Sequence, residues 1–299
     1  MQQCLHQPAV FQDGRLISHS KAWLRHLKPS RQVQRWLLDG YSEYLQPLPK
    51  SLIQQDNQAS CLFLEALVTR EVQALLACGA VEDVTAVRDD FEQVAAVLPL
   101  LVAEDPRRKG QAVLEWQSHQ PVFALPFKLE HAPKAAALMK PGDFMLTIDM
   151  KSGYHKIPLK SSFKRFCCFA WADKIYRWIV PPFGLSSAPR VYTKLSRCML
   201  AFWRAKSIRV SNYIDDFQSY AASLQEALEL RDKVLKDMAT FGWHISLSKS
   251  HLNPGQTAWY VGFEFCSVPQ CHVKVPTPEL QALAAKLKQA LSQHQQHAA

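Results

Sequence analysis

The chain has 299 residues, of which 48% are hydrophobic and 20% charged, so it can build a sizeable core and is not intrinsically disordered. The net charge is +9, and it is distributed unevenly. Residues 106–210 hold 19 Lys and Arg against 5 Asp and Glu, a net of +14. Such a concentration of positive charge indicates a surface that binds phosphates.

The sequence has no feature of a secreted or membrane protein. No apolar run approaches the roughly 18 residues that a membrane span needs, and Met1-Gln2-Gln3-Cys4 does not begin a signal peptide. None of the eight cysteines forms a Cys-x-x-Cys pair, and the spacing of Cys266, Cys271 and His272 is poor for zinc. We therefore expect reduced cysteines and an intracellular protein, of the cytoplasm or the nucleus.

Helices and one hairpin are predicted in the first part of the chain. Apolar residues recur at helical spacing over 31–41 and 64–78, and Gly79 follows the second run as a C-terminal cap. Apolar segments at 98–103 and 112–116 flank a basic turn, which predicts a β-hairpin with three cations at its tip.

The middle of the chain favours strands. Residues 145–148 form an apolar run that ends at Asp149, which is typical of a buried central strand. Residues 166–180 predict two further strands, and a helix is expected from Ser186 or Ser187 to about Trp203.

The last third predicts a second hairpin, over 208–222, with Asp215-Asp216 as its two-residue turn. A capping box at Ser223–Glu226 opens a helix that ends at Gly242. The remaining predicted elements are short strands at 244–247 and 258–265 and a helix at 279–292. This mixture of helices and hairpins predicts an α+β fold with a mainly antiparallel sheet.

Three aspartates are candidate metal ligands. Asp149 ends a strand that should be central, where a carboxylate is costly unless it is paired or metal-bound. Asp215 and Asp216 place like charges side by side at a turn that ordinarily favours Gly. A polar surface turn is the ordinary explanation of such a pair, and a divalent-metal site is the alternative that Asp149 strengthens.

The order of the motifs resembles the palm of a reverse transcriptase. Asp149 is followed by Tyr154, then by residues 182–189 (PFGLSSAP) before a helix, then by the hairpin 213–216 (YIDD). Residues 241–250 and 260–263 are similar to the lysine-bearing segment and the primer-grip hairpin of that family. The resemblance covers about residues 62–285.

A subfamily is also indicated. Residues 40–49, 71–81, 151–155 and 275–276 look like those of DIRS-type, tyrosine-recombinase retrotransposons. Gypsy-type elements and plant pararetroviruses are the near alternatives.

The resemblance implies a right-hand polymerase fold. Its parts would be an N-terminal extension (1–60), a fingers-like region (61–140), a palm with the catalytic motifs (141–265) and the start of an incomplete thumb (266–299).

The resemblance implies an RNA-directed DNA polymerase that adds dNTPs to a primer paired with an RNA or DNA template. Asp149 and Asp215 would hold two Mg²⁺ ions, or Mn²⁺, and Asp216 would contribute mainly its charge to this metal site. Lys249 would protonate the leaving pyrophosphate; a solvated strand lysine is the alternative.

Further roles are implied for the substrate-binding residues. Tyr154 would exclude a ribose 2′-hydroxyl, with core packing as the alternative, and Phe183 and Gly184 would line the nucleotide pocket. The primer terminus would be held by Tyr260, Val261 and Gly262.

The fingers hairpin departs from the family pattern. Gln111 stands where an arginine usually grips the triphosphate, and Gln117 and Gln120 also replace usual residues. Because a Gln lacks the guanidinium fork, only Arg107, Arg108 or Lys109 remain as phosphate ligands there. A degenerate relic that only binds nucleic acid is therefore the main alternative, ahead of an RNA-templated RNA polymerase and of a structural interaction protein.

Overall fold

The computed structural model describes residues 15–42, 51–104, 112–116, 126–151, 153–275, 277 and 280–288, with the backbone alone at 15, 103–104, 112–116 and 153–154. The α-helices of this part are α1 (Ser20–Ala22), α2 (Arg31–Asp39), α3 (Ala59–Phe63), α4 (Glu65–Ala77), α5 (Ala132–Ala136), α6 (Ser161–Lys164), α7 (Ala188–Arg204) and α8 (Leu224–Thr240). Residues 280–288 are also helical. Within these ranges, no helix combines the length and low charge that crossing a bilayer requires.

The strands follow the same chain order. They are β1 (Ile53–Gln54), β2 (Val81–Asp83), β3 (Ala96–Val97), β4 (Leu100–Glu104), β5 (Ala112–Trp116), β6 (Phe144–Asp149), β7 (Cys168–Trp171), β8 (Lys174–Trp178), β9 (Arg209–Tyr213), β10 (Asp216–Ala221), β11 (His251–Gly255), β12 (Thr257–Tyr260), β13 (Phe263–Cys266) and β14 (His272–Lys274). This content of helices and largely antiparallel strands confirms the predicted α+β class.

Two compact units divide the chain. Unit 1 comprises Met1–Phe127, Ser152–Cys198 and Met238–Trp243, and unit 2 comprises Lys128–Lys151, Met199–Asp237 and His244–Ala299. Each unit is assembled from three separate stretches. The four regions expected from the sequence, namely extension, fingers, palm and thumb, are functional parts and differ in kind from these compact units. They stay a prediction.

Unit 1 contains a five-stranded sheet in the order β1-β3-β7-β8-β2, in which β3 runs parallel to β1 and β7. The hairpin predicted beside the basic turn is confirmed, since Leu100 of β4 lies opposite Trp116 of β5 and Glu104 lies opposite Ala112. The tip itself, with Arg107, Arg108, Lys109 and Gln111, lies outside the described residues, as do Gln117 and Gln120.

The N-terminal helical segment is an integral part of unit 1. Trp23 is fully buried, its indole N–H donates to the carbonyl of Phe241 at 2.9 Å, and the two rings meet edge to face. Trp243 in turn packs against Tyr192 with ring centroids 5.4 Å apart. Burial of these large rings stabilises the unit because each removes a large apolar surface from water.

Unit 2 is organised by an antiparallel sheet in the order β11-β6-β10-β9. The inner position of β6 confirms the prediction of a central strand that ends at Asp149, and Met145, Leu146 and Ile148 are each buried. A cluster of buried side chains supports the sheet and the three-stranded sheet β12-β13-β14; it includes Ala135, Met139, Met145, Tyr220, Ala258, Tyr260 and Phe265.

The predicted turn of the second hairpin is wrong by one residue. Strand β9 ends at Tyr213 and β10 begins at Asp216, so the turn is Ile214-Asp215. Asp216 pairs with Tyr213 on one side and with Asp149 on the other, so it belongs to the ladder. Cross-strand pairing on both sides therefore overrides the local preference of two aspartates for a turn.

The predicted strand at 244–247 is also wrong. Only Ile245 forms a bridge, to Met150, and a turn follows at 247–249. The N–H of Ser250 donates to the carbonyl of Ser246 at 3.0 Å, which closes this segment on itself. The sheet edge is formed instead by β11, and the predicted strand at 258–265 is the hairpin of β12 and β13.

Candidate active site

The three aspartates gather at one end of the unit 2 sheet. Asp149, the last residue of β6, lies directly opposite Asp216, the first residue of β10. Side chains at directly opposed positions share a face, with Cβ atoms about 4.5–5.5 Å apart. Asp215 lies in the adjoining turn, and its carbonyl accepts from the N–H of Met150 at 3.0 Å. This bond ties the turn to the end of β6.

The site concentrates negative charge. Burial and, after it, the charges of Asp215 and Asp149 raise the pKa of Asp216 to about 7, while Lys249 opposes this shift. Lys249 Nζ lies 4.0 Å from Asp149 Oδ1, and the two side chains are 52% and 18% exposed. A single half-exposed ammonium does not offset three carboxylates, so the site favours an additional cation.

Two serines hold the backbone of Asp149. The N–H of Asp149 donates to Ser250 Oγ at 3.0 Å, and Ser250 Oγ donates to the carbonyl of Ser246 at 2.8 Å. The N–H of Ser246 completes the ring by donating to the carbonyl of Asp149 at 2.8 Å. Lys249 lies in this turn and not in a strand, and its side chain is half-exposed, so its role as proton donor and the alternative of a solvated lysine both stay predictions. Sequence reasoning missed the serine pair, because its partner lies 101 residues away.

Asn212 holds the other side of the site. Its side-chain N–H₂ donates to the carbonyl of Ile214 at 2.9 Å and to that of Asp216 at 3.0 Å. Ile214 has φ of +51°, a region that β-branched residues rarely adopt. The sequence contains one indication of this contact, because Asn side chains commonly form hydrogen bonds with backbone groups near turns.

The predicted primer-grip hairpin lies in the same unit. Its turn is Val261-Gly262, with φ of +51° and +77°, as hairpin turns with two left-handed residues require. Tyr260 is 3% exposed, and its hydroxyl lies 3.5 Å from the carbonyl oxygen of Asp216, at the outer limit of a hydrogen bond. Burial raises the pKa of Tyr260, so the phenol keeps its proton and can donate.

A cleft of about 170 Å³ joins the acidic end of the sheet to this hairpin. Two residues that sequence reasoning missed, His251 and the 49% exposed Trp259, stand in its wall. Trp259 faces outward because side chains alternate along β12 between the core and solvent. The full lining is Thr147, Ile148, Asp149, Asp216, Lys249, His251, Trp259, Tyr260, Val261 and Gly262.

The remaining predicted site residues belong to unit 1. Phe183 is half-buried, with its ring 5.1 Å from that of His155, and Gly184 follows it in a turn with φ of +91°. Tyr154 lies in the 3₁₀ turn Gly153–Lys156, and its side chain is outside the described part. The structure thus gathers Asp149, Asp215, Asp216, Lys249 and the hairpin 260–262 within unit 2.

The donor set suits Mg²⁺ or Mn²⁺. Among the described residues, no three His, Cys, Asp or Glu side chains form a ready-made metal cage. Mg²⁺ does not need one, because it keeps several waters and binds through one or two carboxylates together with substrate phosphates. The opposed carboxylates of Asp149 and Asp216, with Asp215 beside them, are oxygen donors of this kind.

Comparison with protein families identifies the relatives of this chain. Residues 104–265, more than half of the chain, match the family described as "Reverse transcriptase (RNA-dependent DNA polymerase)". The genome polyprotein of Petunia vein clearing virus is 25% identical over 171 residues, which are 54% of the chain and 7% of the polyprotein. The Pro-Pol polyprotein of Simian foamy virus type 1 is 24% identical over 156 residues, 52% of the chain and 13% of the polyprotein. The chain therefore spans a small part of these relatives.

Solved structures show the same fold. The foamy viral protease-reverse transcriptase in complex with an RNA/DNA hybrid has a TM-score of 0.63 at 14% identity, over 87% of this chain and 36% of that one. A second structure of that viral protein, in complex with double-stranded DNA, has a TM-score of 0.63 at 16% identity, over 91% and 49% of the two chains.

Proposed function

Because the chain belongs to the reverse transcriptase family, we propose that it is the RNA-directed DNA polymerase part of a retroelement or viral polyprotein. It would add dNTPs to a primer 3′-hydroxyl. The observation that carries this proposal is the register that sets Asp149 opposite Asp216, with Asp215 in the adjoining turn. All three acidic residues are present, which favours an active enzyme over a relic.

The aspartates would bind Mg²⁺ or Mn²⁺. Asp149 and Asp215 are the proposed ligands, and Asp216 supplies charge beside them. When two such ions are bound, the chemistry they supply is activation of the primer 3′-hydroxyl and neutralisation of charge on the triphosphate. The raised pKa of Asp216 supports this assignment, because a dication would relieve the repulsion that contributes to the shift.

Lys249 is the proposed proton donor to the leaving pyrophosphate. Its half-exposed ammonium belongs to the cleft wall and lies within ion-pair distance of Asp149. An ammonium group in the cleft wall has protons to donate, which a general acid requires.

The proposed partners are a primer–template duplex and dNTPs. Foamy viral relatives of the same fold have been solved with an RNA/DNA hybrid and with double-stranded DNA, which supports a nucleic-acid duplex as the partner here. Tyr260, Val261 and Gly262 would hold the primer end, and Tyr154, Phe183 and Gly184 would contact the nucleotide. Assignment to DIRS-type elements is the finer proposal, and it rests on the sequence motifs alone.

Primer extension tests the function. The chain should incorporate dNTPs on a primed RNA template with Mg²⁺, and Asp149→Asn and Asp215→Asn should each lower the rate at least about a hundredfold, as loss of a key electrostatic group does. Asp232→Asn is the matched control, because Asp232 is an exposed aspartate of α8, and its rate should equal that of the parent. A chain that binds the duplex but incorporates nothing would overturn the polymerase proposal in favour of a binding relic.

A further inference from the structure

We infer that Asn212 is a positioning residue that sets the conformation of the Ile214-Asp215 turn and thereby the metal affinity of the acidic site. The inference rests on the proposed function, since it assumes that the three aspartates bind divalent metal. Asn212 is the penultimate residue of β9, and its side chain is 4% exposed. A buried amide of this kind is costly unless its polar atoms are bonded.

The bonds of Asn212 bracket Asp215. One N–H of the amide reaches the carbonyl of Ile214, immediately before Asp215, and the other reaches the carbonyl of Asp216, immediately after it. One side chain therefore holds the peptide group that precedes Asp215 and the peptide group that follows Asp216. Because Asp215 lies between these two held peptide groups, the orientation of its carboxylate depends on them.

The turn needs such support because its backbone is strained. Ile214 has φ of +51°, although a β-branched residue has no intrinsic preference for that region. Strained conformations persist only where the surroundings over-determine them. The two bonds from Asn212 supply that restraint on one face, and the N–H of Met150, which donates to the carbonyl of Asp215 at 3.0 Å, supplies it on another.

Asn212 is itself anchored from behind. Its backbone N–H donates to Glu130 Oε2 over 3.4 Å, and Glu130 is held by Arg204 through two bonds of 2.8 and 2.7 Å. Arg204 also donates to the carbonyl of Val210 at 2.7 Å, on the same strand as Asn212. This bidentate pair fixes β9, so the Asn212 amide has a rigid base from which to hold the turn.

The role inferred for Asn212 differs from that of the three aspartates of the acidic site. Asn212 stands outside the cleft lining and acts through the backbone of the turn. Removing its amide should let the turn relax toward ordinary backbone angles, which would reorient Asp215 relative to Asp149. The expected consequence is weaker metal binding with little change in duplex affinity.

The test compares Asn212→Ala and Asn212→Leu with the parent chain. The Leu variant fills nearly the same volume but has no hydrogen-bond donor. It therefore separates loss of the two bonds from the effect of a cavity at residue 212. Gln218→Met is the matched control, because Gln218 is a fully buried amide of β10 whose N–H₂ bonds Met145 Sδ, away from the turn. Mn²⁺ is titrated into each full chain, and the readouts are the metal-induced rise in melting temperature and the hydrogen exchange of the Ile214–Asp216 amides.

Loss of two hydrogen bonds should raise the Mn²⁺ concentration at half-effect about five- to thirtyfold in both Asn212 variants. Exchange at the turn should accelerate by a similar factor, while Gln218→Met leaves both readouts at parental values. Variants that melt at a lower temperature but keep the parental Mn²⁺ midpoint would overturn the inference, since Asn212 would then serve stability alone. Failure of both variants to fold, beside a folded Gln218→Met, would overturn it in the same way.

Primer extension by the parent chain distinguishes failure of this inference from failure of the proposed function. A parent chain that binds Mn²⁺ but incorporates no dNTP would defeat the polymerase proposal and leave the role of Asn212 intact. An active parent whose Asn212 variants bind Mn²⁺ normally would defeat the inference alone.

Discussion

At the scale of single residues, Asp216 is the aspartate of the site whose ionisation is made unfavourable by its surroundings. Burial and the charges of Asp215 and Asp149 raise its pKa from 3.8 to about 7 in the folded chain. In the unfolded chain the group titrates near its ordinary value. The folded state therefore binds the extra proton between about pH 4 and pH 7, and the stability contributed by protonated Asp216 is lost as the pH rises through that window.

Asp216→Asn should therefore stabilise the metal-free protein at pH 8. We expect a gain in the free energy of unfolding of about 1–2 kcal/mol, less than the full shift implies because solvent screens part of the repulsion. The gain should largely vanish near pH 4, where the parent carboxyl is already protonated. Denaturant unfolding across this pH range checks the prediction, with the exposed Asp232→Asn as control. An equal gain at pH 4 and pH 8 would contradict it.

Gln111 is the residue that limits nucleotide binding if the fingers hairpin acts as in the family. Gln111→Arg should restore charge-assisted hydrogen bonds of about 1.5–3 kcal/mol and so lower the KM for dNTP roughly ten- to a hundredfold. Duplex affinity should stay near the parental value. Steady-state primer extension over a range of dNTP concentrations measures the effect. An unchanged KM would show that Arg107, Arg108 or Lys109 already fills the role.

At the scale of elements, the chain uses glycine where a side chain cannot fit. Helix α2 ends at Asp39, two residues earlier than its apolar pattern predicts, and Gly40, which follows it, has φ of +86°. A Cβ there would lie 2.8 Å from the N of Lys160 and 2.9 Å from the carbonyl carbon of Leu159. Both are backbone atoms of a segment bonded to Tyr41, so neither can move cheaply.

Gly79 offers a matched comparison in the same unit. Its φ is +73°, but a Cβ there would meet nothing within 4 Å. Gly79→Ala should cost about 1 kcal/mol from backbone strain, whereas Gly40→Ala should cost about 3 kcal/mol or more, since the backbone clash adds to the same strain. Thermal or denaturant unfolding of the two variants measures these losses of stability. Equal losses would show that the backbone at Leu159 and Lys160 moves away from the new Cβ of residue 40.

At the scale of the whole molecule, charge should govern binding to nucleic acid. The net charge of +14 over residues 106–210 would place cations along the duplex backbone. If at least about four phosphates are contacted, affinity for primer–template should fall about a hundredfold between about 50 and 200 mM salt. Fluorescence anisotropy of the Asp149→Asn chain, which avoids turnover, measures the slope. A flat plot of log affinity against log salt would contradict the prediction.

The sequence alone predicted the central strand ending at Asp149, the hairpin of β4 and β5, the second hairpin and the α+β class. It succeeded there because periodicity and apolar runs are local and depend on burial of one face. It placed the turn one residue late and expected a strand at 244–247. Those errors share a cause, since pairing of Asp216 with Asp149 and the bond from Ser246 to Asp149 involve residues far apart in the chain.

What the sequence by itself determined is the chemistry available to the chain: three aspartates in a fixed order, a lysine after them and a positive middle segment. Only the tertiary structure decided how these groups are held. The amide of Asn212 on the turn, the Ser250 hydroxyl on Asp149 and the Tyr260 hydroxyl near Asp216 could not be read from spacing. The physical reason is that a hydrogen bond depends on distance and angle in space. Two of these three bonds join residues that are 44 and 101 positions apart in the chain, over which no local pattern carries information.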